Sequence, residues 1–145
     1  MLKNVLWSFS AKDYPDREEF KRAVAAYQAA IGQSEQHWQP EALATAAPQL
    51  YICYEAWIRD KEALAANEQL LSAGSEQENG LYNVEILALL QADDKRRGFS
   101  NLELLHKTHQ QMRRQELADH HFFAGYCPCR EDIEGLPAYN VRCDS

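Results

Sequence analysis

The stretch GFSNLELLHKTHQQMRRQEL, residues 98–117, carries the clearest local signal in the chain. Ser100 stands where a helix N-cap belongs and Glu103 follows three residues later, the spacing of a capping box, while Phe99 and Leu104 hold the two positions of a hydrophobic staple. The pattern predicts a helix over about 101–116. At about 100° per residue, Leu102, Leu104, Leu105 and Met112 share one apolar stripe. His109 falls on the shoulder of that stripe, and His106 lies beyond it toward solvent. Arg113 and Arg114 sit near the end of the helix, where cations oppose the negative pole of the dipole.

Working outward, LYNVEILALLQ (81–91) alternates imperfectly and stops at the polar ADDKRRG. It reads as a strand and a turn, with a helix as the alternative for its leucines. QLYICYEAWI (49–58), rich in aromatics after Pro48, reads as a buried strand, and a helix starting at Pro48 is the alternative. KEALAANEQLLSAG (61–74) has high helix propensity and a glycine end, and GSEQENG is turn chemistry. VLWSF (5–9) suits a short strand. Asp13 and Pro15 mark a helix start, followed by Phe20, Val24, Tyr27 and Ile31 at helical spacing until the stop at Gly32. Downstream, HHFFAGYC (120–127) reads as a strand, PCREDIEGL as a loop, and PAYNVRC (137–143) as a last strand that begins at a tolerated proline. The elements predict a single α+β domain over 1–145: a mostly antiparallel sheet of about four or five strands with two or three helices packed on it.

Composition narrows the function. At 145 residues, 46% hydrophobic and 26% charged, the chain can bury roughly 68–70% of its unfolded surface and needs neither metal nor disulfide to fold. The formal charge is −7, and neither half carries the basic excess that nucleic-acid binding requires. The start MLKNVLWSFSAKD is too short and too polar in its apolar run for a signal peptide. No run approaches the roughly 20 apolar residues that cross a bilayer. These features predict a cytoplasmic protein with no membrane contact, whose Cys53, Cys127, Cys129 and Cys143 are free thiols.

The densest group of metal-ligand side chains is His120, His121, Cys127 and Cys129. If residues 121–127 are extended, His121 and Cys127 share a face but lie roughly 20 Å apart. Zinc needs its donors about 2.0–2.3 Å from one point. The Cys-Pro-Cys spacing is also shorter than the usual structural zinc gap, so no metal or cofactor is expected, with these four residues the candidates if one binds. Glu103 and His106 form a Glu-x-x-His of the kind used in di-iron sites, with His109 beside it, but no second copy exists. There is no phosphate-cradling glycine loop and no nucleophile elbow. A Cys–His dyad is possible in principle, yet four cysteines and five histidines allow so many pairings that none stands out. The basic runs at 95–97 and 113–114 read as solvated surface.

GFSNLELLHKTHQQM, then DHHFFAGY, then LPAYNV resemble small uncharacterised bacterial proteins found among toxin-immunity cassettes. The resemblance covers roughly the last third of the chain and implies no catalytic residue. It implies a non-catalytic protein that neutralises a toxin by direct contact, with a protein partner such as a basic toxin domain. Twenty-two acidic against 15 basic residues, with three tryptophans and seven tyrosines, suit acidic side chains around an aromatic anchor. Glu131, Asp132 and Glu134, in the loop before the last strand, are the expected contacts, because loops carry recognition more freely than core strands. The alternative is a small enzyme or metal-binding regulator that uses the histidines and cysteines of the C-terminal third.

Overall fold

The computed structural model describes residues 1–145, and all side chains except those of residues 73, 75 and 76. In chain order the elements are β1 (Trp7–Ser8), α1 (Arg17–Ala30), β2 (Leu43–Thr45), β3 (Gln49–Ile58), β4 (Glu68–Glu78), β5 (Leu81–Gln91), β6 (Phe99–Ser100), α2 (Asn101–Met112), β7 (Phe122–Pro128) and β8 (Ala138–Asp144). Six strands form one sheet in the order β1-β7-β8-β3-β5-β4, while β2 and β6 pair as a separate two-stranded sheet. The large sheet is mixed, because β8 runs parallel to β3.

The fold is α+β, but the expected sheet of four or five mostly antiparallel strands with two or three helices is overturned. Three physical reasons account for the difference. First, residues 61–74, expected to be helical, give only a short 3-10 turn at Lys61–Ala63 before β4. Tertiary pairing outweighs propensity there: β4 takes its backbone partners from β5, and an Asn79–Gly80 turn with φ of 53° and 80° joins the two strands. Positive φ at both central residues matches the right-handed twist of a two-residue hairpin. Gly74, expected to end a helix, lies instead within β4. A Cβ on it would stand 2.2 Å from the Asn83 carbonyl oxygen, so the close approach of the two strands requires glycine. Second, β2 and β6 are too short to carry a periodic signal. Third, parallel pairing of β8 with β3 joins segments far apart in the chain, a contact that local pattern does not encode.

The two long apolar strands behave as their alternation requires. β3 and β5 pair antiparallel in unbroken register from Gln49 opposite Gln91 to Ile58 opposite Tyr82. Leu50, Ile52, Tyr54, Ala56, Val84, Ile86, Ala88 and Leu90 all join the main core. That core lies between the sheet and the two helices, to which α1 contributes Phe20 and Val24, and α2 Leu102, Leu104, Leu105 and Met112. Ile31, expected on the buried stripe of α1, is exposed at 45%. The opposite face of β3 carries a smaller cluster of Tyr51, Cys53 and Leu87 with Ala138, roofed by Ile133 and Leu136 of the loop before β8.

Helix α2 starts as expected, with Ser100 Oγ accepting from the Glu103 N–H at 3.0 Å, and Phe99 and Leu104 fully buried. The reciprocal half of the capping box is absent: Glu103 Oε2 accepts from the Asp93 N–H at 2.8 Å and from Lys107 Nζ at 3.0 Å. Removing the cap leaves a helix-terminal donor unpaired, so Ser100→Ala is expected to lower unfolding stability by ~1 kcal/mol. Urea denaturation measures this, and an unchanged midpoint would show that solvent satisfies the donor.

Candidate functional site

The four candidate metal donors, His120, His121, Cys127 and Cys129, do not converge. His120 is exposed and pairs through Nδ1 with Asp119 at 2.9 Å. His121 Nδ1 is 3.0 Å from Ser8 Oγ, and its ring lies 4.2 Å from that of Phe122. Cys127 is exposed, whereas Cys129 packs against the Tyr51, Cys53 and Leu87 cluster. Among the described residues no group of three or more His, Cys, Asp or Glu side chains is arranged to hold a metal ion.

Glu103, His106 and His109 serve the core. Contrary to the expected solvent position, His106 is only 7% exposed. Its Nε2 donates to the Tyr14 carbonyl at 2.6 Å, and its Nδ1 accepts from Arg17 Nε at 3.2 Å. Fully buried His109 donates from Nε2 to the Lys12 carbonyl at 2.8 Å and accepts the Trp7 indole N–H at 3.1 Å on Nδ1. With both ring nitrogens committed in this way, each imidazole is neutral and protonated on Nε2.

The loop expected to bind a partner is partly consumed by the fold. Glu134 and Gly135 form a tight turn with φ of 52° and 77°, closed by hydrogen bonds in both directions between Ile133 and Leu136 at 2.9 Å. Glu134 also accepts from the Tyr51 hydroxyl at 2.5 Å. Glu131 and Asp132 face solvent.

A more structured acidic feature lies elsewhere, where the sheet splits. Pairing of β8 with β3 ends at Asn140 opposite Cys53. Further along β3, Glu116 of the segment after α2 takes the Trp57 N–H at 2.8 Å. Between these two closures the edge of β3 is open at Tyr54, Glu55 and Ala56, a span of about 13 Å from Cys53 to Trp57 at ~3.3 Å per residue. The resulting slot holds a cavity of about 320 Å³ lined by Cys53, Glu55, Glu85, Asn140 and Cys143, with Met112 of α2 among its walls. A second depression of about 320 Å³ shares Glu55 and His120 with it and adds Trp57, Glu78, Asn83 and Asp119.

Glu55 and Glu85 stand directly opposite one another on β3 and β5. Each is the only charged residue of its strand. Like charges directly opposite destabilise a sheet, and among the described residues neither carboxylate forms an ion pair. Sequence reasoning missed both. The available signal was a lone glutamate within each apolar strand, on the face that the alternation assigns away from the helices.

The thiols in this region are poor nucleophiles. Burial pushes the Cys53 thiol up to about 12, helped by Glu85, Cys129 and Glu55. Burial also lifts Cys143 to about 12, with Asp144 and Glu55 adding to it. Since the thiolate is the reactive species, both groups are inert at neutral pH. The chain matches no family model, and no curated protein or solved structure matches it.

Two measurements follow from these environments. Burial, the largest influence on each, lowers the pKa of His106 and His109 below the ordinary value. Below about pH 6.5 the unfolded chain therefore binds protons that the folded chain refuses. Stability should fall with pH in that window by up to ~1.4 kcal/mol per pH unit for each histidine. Urea midpoints at pH 7.5 and 5.5 test it: a decline is expected, with a shallower one for His106→Gln, and a flat profile would contradict neutral burial. Glu85→Lys should turn the repulsive pair with Glu55 into an attractive one and raise stability by ~0.2–1 kcal/mol, read as a higher melting temperature. A lower one would mean that the carboxylates are not close enough to repel.

Proposed function

We propose that the protein is a non-catalytic binding protein that occupies a basic surface of a protein partner, most fully an immunity protein that neutralises a bacterial toxin by direct contact. The observation that carries this reading is the pair Glu55 and Glu85, opposed across two strands beside Trp57, Glu78 and Asp119. Like charges directly opposite on adjacent strands repel, and a partner of opposite charge would relieve that repulsion. An acidic concavity around an aromatic ring suits a basic protein surface: the rim charges raise the encounter rate, and the ring supplies a desolvated anchor. The net charge of −7 and the resemblance of the last third to proteins of toxin-immunity cassettes support the same reading. Glu131 and Asp132 face solvent on the loop whose Ile133 and Leu136 roof this same face of the sheet. The enzyme alternative draws no support from Cys53 and Cys143, because burial holds both protonated.

The test is co-expression with the product of the adjacent open reading frame. A complex on size exclusion at low salt is expected, with rescue of growth if that product is toxic. Association should slow as ionic strength rises, and Trp57→Ala should cost ~2 kcal/mol or more of affinity. Absence of both complex and rescue would remove the immunity reading.

A further inference from the structure

We propose that the slot between β3 and β8 is a receptor for one arginine side chain, presented by the basic segment of that partner. The inference rests on the binding reading above and names the chemistry at its centre. The slot is a built cavity, since it is closed at one end by the Cys53 and Asn140 pairing and at the other by Trp57 and Glu116. Cys53 lines it, is 5% exposed, and its thiol makes no hydrogen bond among the described residues. Tyr51 and Trp57 both send their N–H groups to this side of β3, to the carbonyls of Pro137 and Glu116. Backbone alternation then aims the N–H and carbonyl of Glu55, between them, into the same gap. Acceptors therefore surround the opening: two carboxylates, one main-chain carbonyl and the Asn140 side chain.

The lining selects among cations. Opposed residues of an antiparallel pair hold their Cβ atoms about 4.5–5.5 Å apart. That spacing lets Glu55 and Glu85 flank one planar guanidinium, whose five donors in a fixed fork can serve both carboxylates. Guanidinium is also weakly hydrated, so it gives up less on entering a slot walled by Met112 and two protonated thiols than an ammonium does. Trp57, two residues beyond Glu55 on the same face, lies where a bound cation or its neighbour in the partner can stack. A divalent metal fits poorly, because no three ligand-type side chains converge among the described residues.

The test is an NMR titration of the ¹⁵N-labelled full chain with acetyl-Gly-Arg-Gly-amide, its lysine counterpart, and zinc chloride. The arginine peptide should shift the amides of Glu55, Glu85 and Asn140 saturably, and the lysine peptide more weakly. Glu55→Gln and Glu85→Gln should each weaken binding by about tenfold or more, the loss expected for a charged hydrogen bond, while Glu19→Gln on the far helix leaves it unchanged. Equal shifts over the whole acidic surface, or binding indifferent to both slot variants, would overturn the proposal. So would zinc perturbing these amides while the arginine peptide does not. In the co-expression complex, the same two variants separate the claims. A complex that forms and ignores them discards the arginine slot and keeps the binding reading, whereas a slot that binds the peptide without any complex does the reverse.

Discussion

The interaction on which the rest of the structure depends is the double hydrogen bond of His109. Ten of the twelve residues of α2 are buried, and six of those ten are polar: Asn101, Glu103, His106, Thr108, His109 and Gln111 lie inside with the leucines and Met112. A helix buried all round is usually apolar all round. This one instead offers its polar side chains to backbone that has no ladder of its own. His109 and His106 hold the carbonyls of Lys12 and Tyr14. Gln110 takes the Tyr14 N–H, Asn101 donates to the Gln39 carbonyl, and Glu103 takes the Asp93 N–H. Peptide groups left unpaired away from water cost as much as lost hydrogen bonds, so α2 is the template on which three irregular segments dock. The rings of Trp7, Phe9, Tyr14 and Phe20, each 5.2–6.0 Å from that of His109, exclude water from the centre of that template.

The same helix determines where the sheet opens. Beyond Met112 the chain turns, and Glu116 meets the edge of β3 at Trp57. Occupation of that edge by the segment after α2 leaves β8 paired with β3 over only three residues, from Tyr51 to Cys53. A continuous sheet would have placed a backbone partner beside Glu55. The split leaves a slot, with Met112 from the helix on its inner side. The site thus arises from competition between two chain segments for one strand edge, and no residue within the slot creates it.

Much of the fold was legible, for reasons that mark the limits of reading. The strands at 49–58 and 81–91 could be read, against a helical alternative for each, because the first is rich in aromatics after Pro48 and the second alternates imperfectly, and the helix start at 101 was plain because its cap and staple are local. Residues 68–74 were misread as the end of a helix because Glu, Gln, Leu and Ala favour helices, and 75–78 as part of a turn, while their pairing with β5 depends on the hairpin that joins the two strands. His106 was placed in solvent because helical periodicity shows only one buried face, whereas α2 is covered on several. Glu103 was legible as an N3 glutamate but not as the partner of Asp93, whose position depends on the turn after β5. The slot was hidden for a similar reason. Glu55 and Glu85 are visible as lone charges in apolar strands, but their opposition depends on a register that only the folded hairpin of β3 and β5 defines.

That opposition separates stability from function within one sheet. The helix-facing side chains of β3 and β5 are uniformly apolar, and their burial at ~25 cal/mol per Å² supplies the driving force. Glu55 and Glu85 work against it on the other face, where the Ile133 and Leu136 roof stops short of them. Had the roof covered the pair, two desolvated and unpaired carboxylates would have cost several kcal/mol. Left in contact with water, the repulsion is limited to a fraction of that and persists as a local field. A cation arriving at the slot therefore meets charges already aligned, and no favourable internal contact of the carboxylates has to be broken for it to enter.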